Sequence, residues 1–210
     1  MDSPTAWDAL DMGWQAAFRQ AWKSFGKGSF PVGSSLFAPN GMLIAVGRNR
    51  IFETGGDPLA GSLLAHAEVG ALSRLSTDER NDDVTLYTTL EPCLFCVGAV
   101  VLCRVGTVRF AGSDSYGGAA KLSLDINSQT ARYEPSIVGP LDGPFGRLAA
   151  ALPLVFLARS GRWTRVLDHF RRSDSDLVEL AEDLETLGPF RDPSFSPLAK
   201  ALEEAWPYLS

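Results

Sequence analysis

The sequence predicts an α/β fold, a sheet layered between helices, and three observations carry that reading. Apolar stretches flank an Asn-Gly dipeptide at residues 40–41, the signature of a β-hairpin. From Val84 to Ala111 a strand, a helix and a strand follow one another, a βαβ unit whose two strands are parallel. Helix-period and strand-period patterns alternate through the first half of the chain, which covers both faces of such a sheet.

Each element has its own residues behind it. Trp7, Leu10, Trp14, Phe18, Trp22 and Phe25 recur at helical spacing and predict one amphipathic helix, capped by Ser3 or Thr5 and ended by Gly26 and Gly28. Val32–Phe37 and Met42–Val46 are the hairpin strands about Pro39-Asn40-Gly41. Residues 49–62, rich in Gly, Asp, Pro and Ser, read as a loop. Ala65–Leu75 is a short helix and Val84–Thr89 a strand. Pro92–Val105 is a helix whose proline is preorganised for the first helical position. Val105–Ala111 closes the βαβ unit, and Ser113–Gly118 is a loop.

Beyond it, Ser136–Gly139 reads as a short strand. Phe145–Leu157, Trp163–Arg172, Leu177–Leu187 and Leu198–Trp206 read as helices, with Gly188-Pro189 and the stretch to Pro197 as a loop. Leu177, Leu180, Leu184 and Leu187 make an apolar face that needs cover, so this tail is expected to pack across the body. The chain accordingly divides into a domain over residues 1–160 and a helical, acidic extension over 161–210.

Hydrophobic residues form 45% of the 210, enough for a sizeable core. A formal charge of −6 argues against a nucleic-acid partner until its distribution is considered. Residues 173–210 hold nine acidic and two basic side chains, so the acidity belongs to the tail and the rest is near neutral. The acidic start Met1-Asp2-Ser3-Pro4 does not read as a signal peptide. The apolar stretch Leu148–Ala158 is interrupted by Pro153 and too short to cross a bilayer. Three cysteines without an export signal point to metal binding or burial rather than disulfides, and a cytoplasmic location with no membrane partner is expected.

The chemistry concentrates in His66-Ala67-Glu68 and Pro92-Cys93-Leu94-Phe95-Cys96, each opening a helix. Cysteines at i and i+3 share a helix face, so both sulfurs reach one ion. Free N–H groups and the positive dipole end at a helix start stabilise thiolates. Cys103 is on the same face as Cys96 but about 10.5 Å further along, too far to share the ion, and reads as a small buried hydrophobe. His169, among Arg162, Arg165, Arg171 and Arg172, reads as a surface helix residue. His66, Cys93 and Cys96 therefore make a three-ligand Zn²⁺ site with a fourth position open, the catalytic rather than the structural arrangement. Glu68 beside that position is the expected proton carrier for hydrolysis.

The stretch Thr89-Leu90-Glu91-Pro92-Cys93-Leu94-Phe95-Cys96-Val97-Gly98-Ala99, with Arg104-Val105-Gly106 and Val108-Arg109-Phe110, resembles the cytidine deaminase superfamily. Within it, the likeness is to the branch of bacterial tRNA adenosine deaminases and guanine deaminases. Pro31-Val32-Gly33, Gly47-Arg48-Asn49-Arg50 and Asp114–Ala119 fit that branch, and the resemblance covers roughly residues 5–120. It implies a three-layer α-β-α fold with a mixed five-stranded sheet and a homodimer. It also implies that Asn49 contacts the substrate; on its own residues Asn49 reads equally as a turn residue. Glu91 is read as a local cap or pairing group outside the site, and Tyr116 either as a stacking residue or as a surface tyrosine. Two features depart from the branch. Asp57-Pro58 is followed by Leu59–Ala65 before the histidine, a longer approach than relatives often have, and the tail after residue 120 is long for the tRNA enzymes.

The leading expectation is a zinc-dependent hydrolytic deaminase of a free nucleobase, nucleoside or related heterocycle. The alternative enzyme is a tRNA adenosine deaminase, with Arg159, Arg162, Arg165, Arg171 and Arg172 as a phosphate-binding stripe rather than a solvated helix face. A zinc-stabilised binding protein is the non-enzymatic alternative. Glu68 speaks against it, because folding needs the ligands and not that carboxylate.

Overall fold

The structure is a computed structural model and describes residues 2–55, 58–77 and 81–210. Asp57, named above in the approach to the histidine, lies outside the described residues. In chain order the elements are α1 (Ser3–Asp8), α2 (Met12–Gly26), β1 (Gly33–Phe37), β2 (Leu43–Arg48), α3 (Ala67–Leu72), β3 (Thr85–Leu90), α4 (Leu94–Cys103) and β4 (Thr107–Gly112). Then come α5 (Ser128–Arg132), β5 (Ser136–Val138), α6 (Pro144–Ser160), α7 (Thr164–Ser173), α8 (Ser175–Thr186), α9 (Gly188–Arg191) and α10 (Leu198–Leu209).

The five strands run in the order β2-β1-β3-β4-β5. β1 pairs antiparallel with β2 and β3, while β3–β4 and β4–β5 are parallel, so the sheet is mixed. The hairpin turns where the Asn-Gly signal placed it. Asn40 Oδ1 accepts from the Met42 amide at 3.0 Å, and Gly41 takes a φ of 81°, which a residue without Cβ adopts at no steric cost.

Strand alternation sends side chains to two cores. Leu36 and Leu86 join Ala71, Leu72, Val100, Val105 and Val108 on the face covered by α3 and α4. Phe37 and Tyr87, their immediate neighbours in the strands, face the larger core built by α2, α6 and the C-terminal helices. These two helical covers make the three layers. Leu180 and Leu184 of α8 are buried with Val178 and Ala181, and α8 packs on α6, so the tail does lie across the body.

Several local expectations need correction. The aromatic N-terminal pattern forms two helices, not one. Asp2 rather than Ser3 or Thr5 caps the first, accepting from the Thr5 amide at 3.0 Å. Asp11 caps the second, accepting from the Gly13 amide at 2.8 Å, and this local bond restarts the helix. Pro92 precedes α4 by two residues instead of opening it, because Cys93 takes the N-cap position. The stretch Gly188–Pro197 is not wholly loop, since Gly188–Arg191 forms one helical turn. Among the described residues no helix is long and apolar enough to cross a membrane.

Candidate metal centre and substrate cavity

His66 and Cys93 hold the same position in two different helices. Each is an N-cap with extended backbone, φ −75° and ψ 153° for His66, φ −74° and ψ 170° for Cys93. α3 and α4 thus begin at the same place, and their first turns bring Glu68 and Cys96 to it. Gly47 permits this. A Cβ there would stand 2.0 Å from the carbonyl oxygen of Ala67, so only glycine lets α3 press directly on β2.

The Nδ1 atom of His66 lies 3.3 Å from Cys96 Sγ and 3.6 Å from Cys93 Sγ. All three ligand atoms fall within 4.8 Å of one another. A nitrogen and a sulfur bound tetrahedrally to one zinc, at about 2.0 and 2.3 Å, would stand about 3.5 Å apart. One imidazole and two thiols at this spacing fit zinc in chemistry as well as in geometry. Cys103, the remaining cysteine, ends α4 and packs half-buried against the core under α3 and α4, as its spacing required.

The two thiols differ. A hydrogen bond from Cys96 first, with help from His66, lowers the Cys93 pKa to about 4 against the opposing effect of burial. Cys96 is raised, because it donates to Cys93 and is buried. His66 is raised by its hydrogen bond with Cys93. Glu68 is only 3% exposed, and burial raises its carboxyl above the ordinary range. One oxygen, Oε1, accepts from the Thr88 hydroxyl of β3 at 2.9 Å.

His66, Glu68, Cys93 and Asn49 open on one cavity of about 190 Å³. It lies below the roughly 300–1,000 Å³ of drug-sized ligand sites, which suits a single heterocycle. Asn49 is 3% exposed, and its place is set from several sides. Its Oδ1 accepts from the Ser29 hydroxyl and the Ile51 amide, both at 3.1 Å, and its carbonyl oxygen accepts from the Ser24 hydroxyl. With the oxygen engaged, the amide orientation is determined and Nδ2 is the end left to offer hydrogen-bond donors to the cavity. Asn49 therefore organises the turn through its oxygen, and it also lines the cavity.

Several positions around the site were not singled out by the sequence reading. Thr88 is one threonine of a strand with three, and only the tertiary fold selects it. Glu91 has the local role expected of it, Oε2 accepting from the Asp114 amide and Oε1 from the Ala120 amide, both at 3.1 Å. It also lines the cavity. Trp163 and Val166 of the C-terminal extension form part of the wall. His169 is not a plain surface residue: its Nε2 meets Ser115 Oγ at 3.0 Å and its ring packs on Tyr116 at 5.4 Å between centroids.

A mixed five-stranded sheet between helices, with a His-Cys-Cys zinc group at two helix starts, defines the deaminase-like class of α/β proteins. Residues 10–112 match the cytidine and deoxycytidylate deaminase zinc-binding region. The chain belongs to that family. It is 30% identical over 113 residues to cytosine deaminase of Candida albicans, covering 54% of this chain and 73% of that protein. It is 41% identical over 114 residues to the tRNA-specific adenosine deaminase of Bacillus subtilis, covering 52% of this chain and 66% of the other. Against tRNA-specific adenosine deaminases of Streptococcus pyogenes the chain spans 61–66% of their length. Its fold also resembles the solved structure of guanine deaminase from Nitrosomonas europaea, with a TM-score of 0.54 at 22% identity over 71% of this chain and 85% of that one.

Proposed function

We propose that the chain is a zinc-dependent hydrolase that replaces the amino group of a nucleobase, nucleoside or related heterocycle by an oxo group and releases ammonia. The observation that carries this reading is the buried carboxylate of Glu68, which shares its cavity with the ligands His66 and Cys93. Burying such a group is costly, and a zinc kept only for folding has no use for it.

When bound by His66, Cys93 and Cys96, zinc supplies a water made acidic toward a pKa of about 7. Glu68 takes the proton of that water as its oxygen adds to the ring carbon bearing the amine. The same carboxyl gives that proton to the ring nitrogen, then takes the proton of the hydroxyl now on the ring carbon and passes it to the departing amine. The carbon–nitrogen bond breaks, and water and amine have become oxo product and ammonia. Thr88 holds the carboxyl in place, and Asn49 donates through Nδ2 to an acceptor on the substrate. The apolar walls from Phe30, Val32, Ile51 and Leu90 exclude bulk water from this exchange.

In this reading residues 1–160 form the catalytic domain, and residues 161–210 form an extension that closes one side of its cavity. Three free thiols, two of them zinc ligands, suit the reducing cytoplasm. Pairing of two copies is supported by Leu94, Phe95 and Leu102, which leave an apolar stripe of α4 exposed. A monomeric mass by light scattering would remove the dimer from the proposal.

A tRNA adenosine substrate is the second reading, favoured by the similarity to the Bacillus subtilis enzyme. The arginines weigh against it. Arg159 donates to the carbonyl oxygens of Phe190 and Arg191, Arg162 lies over the Phe52 ring, and Arg171 pairs with Asp168. Three of the five grouped in the sequence are thus engaged within the protein. The deciding experiment is ammonia release by zinc-loaded protein across free bases, nucleosides and tRNA, with Glu68→Ala as control. Release that persists in the control, or zinc-loaded protein silent on the whole panel, would overturn the proposal.

A further inference from the structure

One wall of the cavity comes from outside the family-matched region. Trp163 and Val166 line it, and His169 fastens the loop carrying Ser115 and Tyr116. These residues recur at intervals of three along the start of α7 and share one face of it. Leu167 and Phe170, on the adjoining face, are buried in the main core. α7 is therefore held from two sides, by the body of the protein and by the loop at the cavity mouth.

Trp163 itself has a left-handed backbone, φ 47° and ψ 47°. A large side chain rarely adopts that conformation unless its surroundings impose it. Here an aromatic cluster does so. The indole packs on Phe30 at 5.6 Å and on Phe52 at 5.3 Å between centroids, and both phenylalanines pack on Phe156. Despite these contacts Trp163 remains 42% exposed. The cluster thus positions a rigid, half-covered π-surface in the wall of a cavity that also holds Glu68, His66 and Cys93.

The charges of the lining complete the argument. Among the described residues, no lysine or arginine lines this cavity, whereas Glu68, Glu91 and Asp114 do. A site that accepts a base within RNA must also accommodate flanking phosphates, for which cationic groups are the usual partners.

We propose that Trp163 is the stacking platform for the substrate ring, and that α7 makes this a site for an uncharged free heterocyclic base rather than a base carried in RNA. The proposal rests on the deaminase reading above and specifies its substrate class. Stacking on an aromatic side chain is tolerant of ring identity, so affinity comes from Trp163 and orientation from Asn49 and Glu68.

The test uses binding, so that it does not depend on turnover. The full-length zinc-loaded protein is titrated calorimetrically with hypoxanthine, xanthine and uracil, oxo bases that cannot be deaminated. At least one should bind. Trp163→Ala should weaken it about tenfold or more, and Trp163→Phe, which keeps a ring, should stay within about threefold. Val166→Trp, which fills the cavity from the other α7 position, should abolish binding with zinc content unchanged. Wild-type affinity in Trp163→Ala, or in Val166→Trp, would overturn the proposal. So would displacement of the bound base by an anticodon stem-loop at equal concentration, or failure of all three bases to bind zinc-loaded protein. The deaminase reading is separate: it fails if ammonia release is absent from bases, nucleosides and tRNA alike, or if release persists in Glu68→Ala.

Discussion

The hydroxyl of Thr88 donates a 2.9 Å hydrogen bond to Oε1 of Glu68, linking the middle of a buried strand to the first turn of the helix that follows His66. The two residues are twenty apart in sequence and both fully enclosed, so the bond fixes where the carboxyl can point. Removing it should change the chemistry without touching the metal. Thr88→Val keeps the shape and deletes the donor. A hydrogen bond to a charged group is worth about 1.5–3 kcal/mol, so kcat should fall about tenfold to a hundredfold while zinc content by atomic absorption stays at one per chain.

Glu68→Ala separates proton transfer from metal binding more sharply. Positioned general acid–base catalysis contributes about 10²–10⁴-fold, and the loss should appear in kcat with zinc retained. His66→Ala should do the reverse and release the metal. Chelation of the wild type should lower its melting temperature, since zinc present at about a hundred times its dissociation constant adds about 2.7 kcal/mol. A melting temperature indifferent to chelator would contradict zinc binding at this site.

Gly47→Ala tests the contact that seats α3. The new Cβ would stand 2.0 Å from the Ala67 carbonyl and 2.6 Å from the Ala71 amide, both backbone atoms that cannot swing aside. Overpacking typically costs about 1–3 kcal/mol. The expected result is a lower urea midpoint together with weaker zinc retention, because His66 moves with its helix. A stable variant that still held zinc tightly would show that α3 can shift without loss.

Asn49→Asp keeps the oxygen that accepts from Ser29 and Ile51 and replaces the donors at the other end. If Nδ2 holds the substrate, kcat/KM should fall at least about tenfold, the scale of one hydrogen bond and an added repulsive charge. The fold should survive, which circular dichroism would show. Unchanged kcat/KM would confine Asn49 to its turn.

The loop leading toward the metal is tied by Glu53, whose carboxylate accepts from Arg48 and Arg50. The hydrogen bond from Arg48, and then the charges of the two guanidiniums, hold its pKa below the ordinary value in spite of burial. The folded state therefore binds the proton less readily than the unfolded chain. This stabilisation is complete above the unfolded carboxylate value of about 4.3 and is lost as pH falls through the lower folded value. Glu53→Gln should melt below wild type at pH 7, and the gap should close in acid. A gap that persisted at low pH would place the effect elsewhere.

The sequence by itself determined the parts of this protein that depend on neighbours in the chain. The hairpin was legible because Gly41 reaches the positive-φ backbone that a tight turn needs, and the βαβ unit because strand and helix periods differ. The three ligands were legible because zinc demands particular donors, and two helix starts supply them, His66 at one and Cys93 and Cys96 at the other. The fate of the N-terminal aromatic pattern was less so, since periodicity runs through residues 9–11 while Asp11 interrupts the helix there. Only the tertiary structure decided which threonine meets Glu68, which groups hold the oxygen of Asn49, and that Trp163 walls a site whose ligands lie at positions 66–96. These relationships join segments far apart in the chain. Burial and close packing settle them, and no local pattern of residues encodes which distant side chain will arrive.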